Sequence, residues 1–251
     1  MSLEGLDPAT ALIVAAIFVF GGVVKGATGF GLPLTTIAFL PLIVPFDLAL
    51  ALNTLVVPAT NVAMIWAMRE PLGDLRASLP VIAGIAATVF VAASAVSALG
   101  PEALGAAMGA LLLGFALFSF AAPSFRVPPR HALPLGVAVG MTGGVVGAAF
   151  TAPGPIYAAY LAGLHLPRPR FVGRLGVTMT ASGLLVSGAF WASGILDLPR
   201  GLASLACAAP AFLGMWAGDR LARRLAPETF RRLVLLMLAG LGLNYLWKAM
   251  A

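Results

Sequence analysis

The sequence predicts an all-α polytopic membrane protein built from two inverted repeats of about five transmembrane segments each, with broken or short helices at Gly/Pro motifs. Three observations carry that expectation. The chain is 61% hydrophobic and 10% charged, with mean hydropathy +1.02, whereas a soluble domain averages roughly 25% charged residues. A Gly/Pro-interrupted apolar segment occurs twice, once in each half. The basic residues gather on one side of a membrane only if each half crosses it an odd number of times.

The same composition excludes several classes. With 9 acidic and 15 basic side chains in 251 residues, polar groups are too few to cover a water-soluble surface. A net charge of +6 and a pI near 10.4 raise the question of nucleic acid. In a membrane protein, excess Arg instead marks cytoplasmic loops, so no nucleic-acid partner is expected. The single cysteine, Cys207, lies in an apolar stretch and excludes an intrachain disulfide or a Cys-based metal site. Glu4 and Asp7 precede the first apolar run where a cleaved leader would be basic, so that run is expected to stay.

Taken in order, single apolar runs lie at about 47–68, 75–98, 102–122, 169–194, 200–219 and 228–247. Each is about twenty residues, enough to cross the hydrocarbon core. Two stretches, 9–45 and 132–166, are longer than one span. The first contains G-G-V-V-K-G-A-T-G-F-G-L-P (Gly21–Pro33), the second G-M-T-G-G-V-V-G-A-A-F-T-A-P-G-P (Gly140–Pro155). Beyond each break, Pro33–Val44 and Pro155–Leu166 have only twelve residues. That is about 18 Å of helix, short of a full crossing. Broken backbone at membrane depth survives only where protein buries it or where it lines a watery cavity. A pair of such breaks at matching positions points to a transporter site.

Charge fixes the count. Two passes per long stretch give five segments per half. With the N-terminus outside, 13 of the 15 basic residues fall inside and only Arg200 and Lys248 outside. Four segments per half would put the 168–174 and 220–232 clusters opposite Arg69, Arg76, Arg126 and Arg130. The positive-inside rule prefers the odd count, which makes the halves inverted and places both termini outside. The repeat is also visible in the letters. L-G-P-E (Leu99–Glu102) matches L-A-P-E (Leu225–Glu228) at an offset of 126, and Pro33 and Pro45 match Pro155 and Pro167 at 122. We therefore expect a repeat over 1–123, a linker over 124–131 and a second repeat over 132–251.

These residues resemble the TauE/SafE family of sulfite exporters, which carry a duplicated helical unit. The resemblance rests on Gly26, Gly29 and Gly31, on Gly143, Gly144, Gly147, Gly154 and Pro155, and on the final helix pair from Gly214 to Leu233. It extends over nearly the whole chain. It implies export or uptake of sulfite, sulfonates or related organosulfur anions, and it singles out Arg174 after the cytoplasmic-side loop. Lys25 departs from the resemblance, because many members have a neutral residue there.

Candidate substrate-binding residues follow from chemistry. Gly26, Thr28, Gly29, Phe30 and Gly31 form the first break, and Gly147, Thr151, Gly154 and Tyr157 the second. Half-helix starts within Thr28–Thr36 and Thr151–Tyr157 would offer free N–H groups and a positive dipole end to an anion. Close helix packing is the alternative for any one glycine. Lys25 is an ammonium inside a membrane segment, usually functional; snorkelling to the inner interface is its alternative. The Arg174 guanidinium suits an oxyanion, or serves as an ordinary loop charge. Asn53 and Thr60, like Thr54 and Asn61, are seven apart and share a helix face; Thr178, Thr180 and Ser182 mark the partner helix. These residues line a pathway or bond between helices. Trp191 and Tyr157 are better explained by interface anchoring or core packing.

No carboxylate or histidine is predicted in mid-membrane, so no metal, cofactor or enzyme chemistry is expected. The reading is an exporter of a small sulfur oxyanion in the bacterial inner membrane, working by alternating access. Its partners are the anionic substrate and the bilayer, with homo-oligomerisation left open. An anion channel on the same scaffold, or an assembly subunit without transport, are the alternatives.

Overall fold

The computed structural model describes residues 7–68, 75–121, 126–222 and 227–250. Arg69, Arg223, Arg224 and the first two linker residues lie outside them. The described residues form ten α-helices, two short 3-10 helices and no strand. The α-helices are α1 (Pro8–Thr28), α2 (Leu32–Phe39), α3 (Phe46–Met68), α4 (Leu79–Ala98), α5 (Pro101–Ala121), α6 (Pro129–Phe150), α7 (Gly154–Gly163), α8 (Arg168–Ala192), α9 (Leu198–Ala222) and α10 (Pro227–Met250). Seven have a stretch long and apolar enough to cross a membrane, and α10 contributes an apolar stretch over Val234–Ala249. The chain is a multi-pass membrane protein.

Local chemistry explains where the helices begin. The Asp7 side chain caps α1, accepting the Thr10 N–H at 2.8 Å. Its carboxyl titrates below the usual range because that N–H and the Thr10 hydroxyl favour the ionised form. Proline opens α5 at Pro101 and α10 at Pro227, the two L-x-P-E sites. Proline suits a first helical position because its missing N–H would have no partner there anyway.

Each long stretch divides in two, and the divisions are narrower than the motifs. The first lies at Gly29–Gly31, where φ is +83° at Gly29 and +99° at Gly31. Both values belong to the left-handed region that glycine enters without strain. The second centres on Thr151 at φ +53°, where a β-branched residue pays for the same turn. Gly21, Gly22, Gly26, Gly140, Gly143, Gly144 and Gly147 remain inside unbroken helices.

Packing explains most of those helical glycines. α1 lies along α9 and α6 along α4, so each broken helix packs on the other repeat's fourth helix. An added Cβ on Gly22 would stand 2.2 Å from the Ala211 carbonyl oxygen, and one on Gly214 2.0 Å from that of Val19. The α4–α6 crossing repeats this: added Cβ atoms on Gly84 and Gly140 would meet the Val137 and Val81 oxygens at 2.2 and 2.0 Å. Small residues that let backbones touch are how helices associate where hydrocarbon surrounds them. α5 pairs with α10 and α3 with α8. Raising every helix number by five, cyclically, reproduces this pairing pattern.

The short α2 lies inside this frame, its residues Leu32–Ala38 all buried. Outward faces carry apolar side chains such as Leu12, Val91, Leu117 and Leu213, each more than two-thirds exposed. All four tryptophans, Trp66, Trp191, Trp216 and Trp247, are exposed in the C-terminal halves of their helices. That arrangement suits the headgroup level, where an amphipathic ring is most stable. The Arg220 guanidinium sits 3.5 Å from the Trp216 ring centroid.

Candidate functional site

The two breaks meet. An added Cβ on Gly154, the first residue of α7, would lie 4.0 Å from Phe30 Cβ, between the left-handed glycines of the first break. Around this junction the structure collects most of the sequence-predicted residues into two groups, one on each side.

The first group surrounds Lys25. α1 carries it three residues before its last turn ends, and the side chain is 1% exposed. Snorkelling is thereby excluded: the stem points inward to α3. Lys25 Nζ donates to Thr60 Oγ1 at 2.8 Å and to Asn61 Oδ1. Thr60 Oγ1 lies 2.8 Å from the Val56 carbonyl oxygen, to which it gives its own proton. The amide orientation of Asn61 follows from chemistry, since an ammonium accepts nothing and must face the oxygen. Asn61 Nδ2 then points away, buried and without a hydrogen-bond partner among the described residues. Among the described residues, Lys25 is the only charged side chain that is buried.

The other α3 polar residues serve different neighbours. Thr36 Oγ1 on α2 stands 2.6 Å from Asn53 Oδ1, fastening the short helix to α3. Thr54 Oγ1 returns to the Leu50 carbonyl at 2.8 Å. Pro58 brings no N–H to the α3 ladder, and one turn earlier Ser204 on α9 bonds the α3 backbone. The Ser204 hydroxyl accepts the Leu55 N–H at 2.9 Å and donates to the Leu52 carbonyl at 2.7 Å. Sequence reasoning missed Ser204, because a lone serine carries no signal until its neighbour is known.

The second group belongs to the other repeat. Thr54, Thr151, Pro153, Met179 and Ser182 line a cavity of about 10 Å³, room for about one water. Gly147 borders it: an added Cβ would lie 3.2 Å from Val186 and 3.7 Å from Ser182 Oγ. Tyr157 is fully buried, its hydroxyl 3.1 Å from Ser182 Oγ and its ring against Gly143. It is a core residue at the edge of this cavity. Thr178 is buried on α8, the helix that carries Ser182.

Three expectations change. Gly26 faces α9 rather than the junction, since an added Cβ would stand 2.2 Å from the Met215 carbonyl oxygen. Arg174 is half-buried and acts electrostatically on Tyr160, apart from the Lys25 hydrogen bonds. The half-helix starts offer fewer donors than expected. Pro33 and Pro155 have no N–H, and the N–H groups of Ile156 and Tyr157 both turn to the Pro153 carbonyl. Thr28 Oγ1 lies 2.8 Å from the Val24 and 2.5 Å from the Phe30 carbonyl oxygen, so it braces the first break from within.

Of the larger cavities, one borders the first break and another lies between helix ends away from it. One of about 410 Å³ is lined by Thr28, Phe30, Gly31 and Thr35 with residues of α5 and α10. Another of about 730 Å³ is lined by Asp47, Glu102, Arg200 and Lys248. Arg200 there holds Asp47 at 2.9 Å, an ion pair joining α9 to α3.

Comparison with curated proteins and with solved structures gives no match. The family model of the sulfite exporter TauE/SafE matches residues 13–245, from the second turn of α1 to the last turns of α10. That span takes in both broken helices and both of their partners on the opposite repeat, and the chain belongs to the TauE/SafE sulfite exporter family.

Proposed function

We propose that this protein exports a small sulfur oxyanion, sulfite or a small sulfonate, across the bacterial inner membrane. The anion binds where the two breaks meet, with Lys25 supplying the charge. The repeats, 1–123 and 132–251, rock about this site to give alternating access. The observation that carries the reading is Lys25 with its two neutral partners. A buried cation is costly unless something compensates it, and an anion passing through supplies the compensation. Asn61 Nδ2 adds unused N–H groups beside it.

The closed centre favours a carrier over a channel. A cavity of about 410 Å³ reaches the first break at Phe30 and Gly31, but Lys25 is buried and the cavity beside Ser182 holds about 10 Å³, so an anion reaches the ammonium only after the helices move. The membrane potential supplies the direction. An anion leaving a negative interior gains about 2.3 kcal/mol per charge per 100 mV. The family are transporters rather than enzymes, which agrees with this reading.

The test is sulfite efflux from proteoliposomes carrying the wild-type protein or Lys25→Met, with and without an imposed potential. Saturable efflux that accelerates with an inside-negative potential and falls at least tenfold in Lys25→Met is the expected result. Efflux unchanged by Lys25→Met would remove Lys25 from the site, and a conducted current without saturation would make the protein a channel.

A further inference from the structure

We infer that the Lys25 site accepts singly charged oxyanions and rejects doubly charged ones, so that sulfonates and hydrogen sulfite pass while sulfate does not. The inference rests on the export reading above and specifies its substrate by charge.

Lys25 brings at most one unit of positive charge to the site. Lys25 Nζ uses two N–H groups on Thr60 and Asn61, leaving one. Asn61 Nδ2 has two more with no partner among the described residues. The Thr60 hydroxyl spends its proton on the α3 backbone. What remains is a small set of N–H donors around one cation, with no carboxylate among its partners. Such a set suits a ligand that only accepts hydrogen bonds, as the oxygens of a sulfonate do.

The repeat could have supplied a second charge and does not. Adding 122 to each number carries Lys25 to Gly147, Thr60 to Ser182 and Asn61 to Gly183. The counterpart of the ammonium is thus a hydrogen atom, and the counterpart of the amide is another glycine. Ser182, the counterpart of Thr60, is taken by the Tyr157 hydroxyl at 3.1 Å. Neither Arg200 nor Arg174 hydrogen-bonds to the Lys25 partners among the described residues. Arg200 is bound to Asp47, and Arg174 is half-buried beside Tyr160.

The consequence is electrostatic. A monoanion beside Lys25 makes a neutral pair that crosses apolar surroundings with its charge compensated. A dianion leaves one negative charge buried without a partner, the situation that costs most in a low-dielectric interior. Sulfate and methanesulfonate make a close comparison, because both are tetrahedral at sulfur and similar in size. They differ by a charged oxygen in place of a methyl group.

The experiment measures counterflow of radiolabelled methanesulfonate, sulfate and sulfite into proteoliposomes holding the full chain at neutral pH and zero potential. Methanesulfonate and sulfite are expected to exchange saturably, with sulfate slower by roughly 100-fold or more. A second variant, Asn61→Asp, keeps the oxygen that Lys25 grips but neutralises the cation and removes the spare N–H groups. It is expected to lower methanesulfonate counterflow at least tenfold, with thermal stability in detergent equal to wild type or higher. A merely structural role for the pair would leave flux intact in that variant. Sulfate moving as fast as methanesulfonate, or normal flux through Asn61→Asp, would overturn the inference. If sulfite and sulfate move and methanesulfonate does not, export stands and the charge rule falls; if none moves, the export reading falls with it.

Discussion

Replacing Gly26 by alanine separates packing from substrate contact at the first motif. The added Cβ would stand 2.2 Å from the Met215 carbonyl oxygen and 2.9 Å from the Met215 C and Cα atoms. A comfortable contact requires about 3.4 Å, so α1 and α9 must part by roughly 1 Å, a gap that forfeits a quarter to a half of each affected dispersion contact. The loss is not local. Gly22, Gly214 and Gly218 make backbone contacts of the same kind along this crossing, and a rigid helix that lifts at Gly26 lifts near them too. Overpacking of this type costs about 1–3 kcal/mol. Trimming Met215 to alanine cannot rescue it, because the obstructing atoms are backbone. The assay is thermal unfolding in detergent, followed by fluorescence-detected size exclusion, for wild type, Gly26→Ala and Gly26→Ala/Met215→Ala. Both variants should melt several degrees lower. A Gly26→Ala protein as stable as wild type would refute the packing argument.

Three further outcomes are expected. Gly29→Ala meets no atom within 4 Å but keeps φ at +83°, so it should lose about 1–2 kcal/mol through backbone strain alone, measured as a lower melting temperature that Gly29→Asn partly restores. Arg200→Ala breaks an ion pair whose side chains are 22% and 53% exposed; solvent screening limits the loss to less than about 1 kcal/mol, and a larger fall in melting temperature would mean that the pair locks the repeats together. In a Cys207→Ser background, Glu102→Cys and Arg130→Cys should react with an impermeant thiol reagent from opposite sides of intact vesicles, Glu102→Cys from outside. Labelling of both from one side would break the predicted topology.

Much of the fold was legible because hydrophobicity and charge act residue by residue. Twenty apolar residues need a bilayer whatever their neighbours are. All six single runs became α3, α4, α5, α8, α9 and α10, and both long stretches divided as expected. The breaks were harder to place. Glycine promotes both a turn and a close helix contact, and the letters cannot separate those uses. Gly29 and Gly31 took the first role and Gly22, Gly26, Gly140 and Gly144 the second. At the second break the turn fell to Thr151, a residue whose side chain gives no such warning.

The candidate site was legible in its parts and not in its connections. Lys25, Asn53, Thr60 and Asn61 stood out as polar groups in apolar sequence, since any such group at membrane depth needs a partner. Which partner each one has depends on how α1, α2 and α3 lie against one another. The sequence by itself determined the membrane class, the ten-helix order, the two interruptions and the presence of an intramembrane cation, all set by local composition and spacing. Only the tertiary structure decided that α1 rests on α9 and α6 on α4, that Lys25 turns inward to Thr60 and Asn61, and that Phe30 meets Gly154. Those choices are made by contacts between residues dozens to nearly two hundred positions apart, and at the helix crossings a single missing Cβ determines whether two backbones can touch.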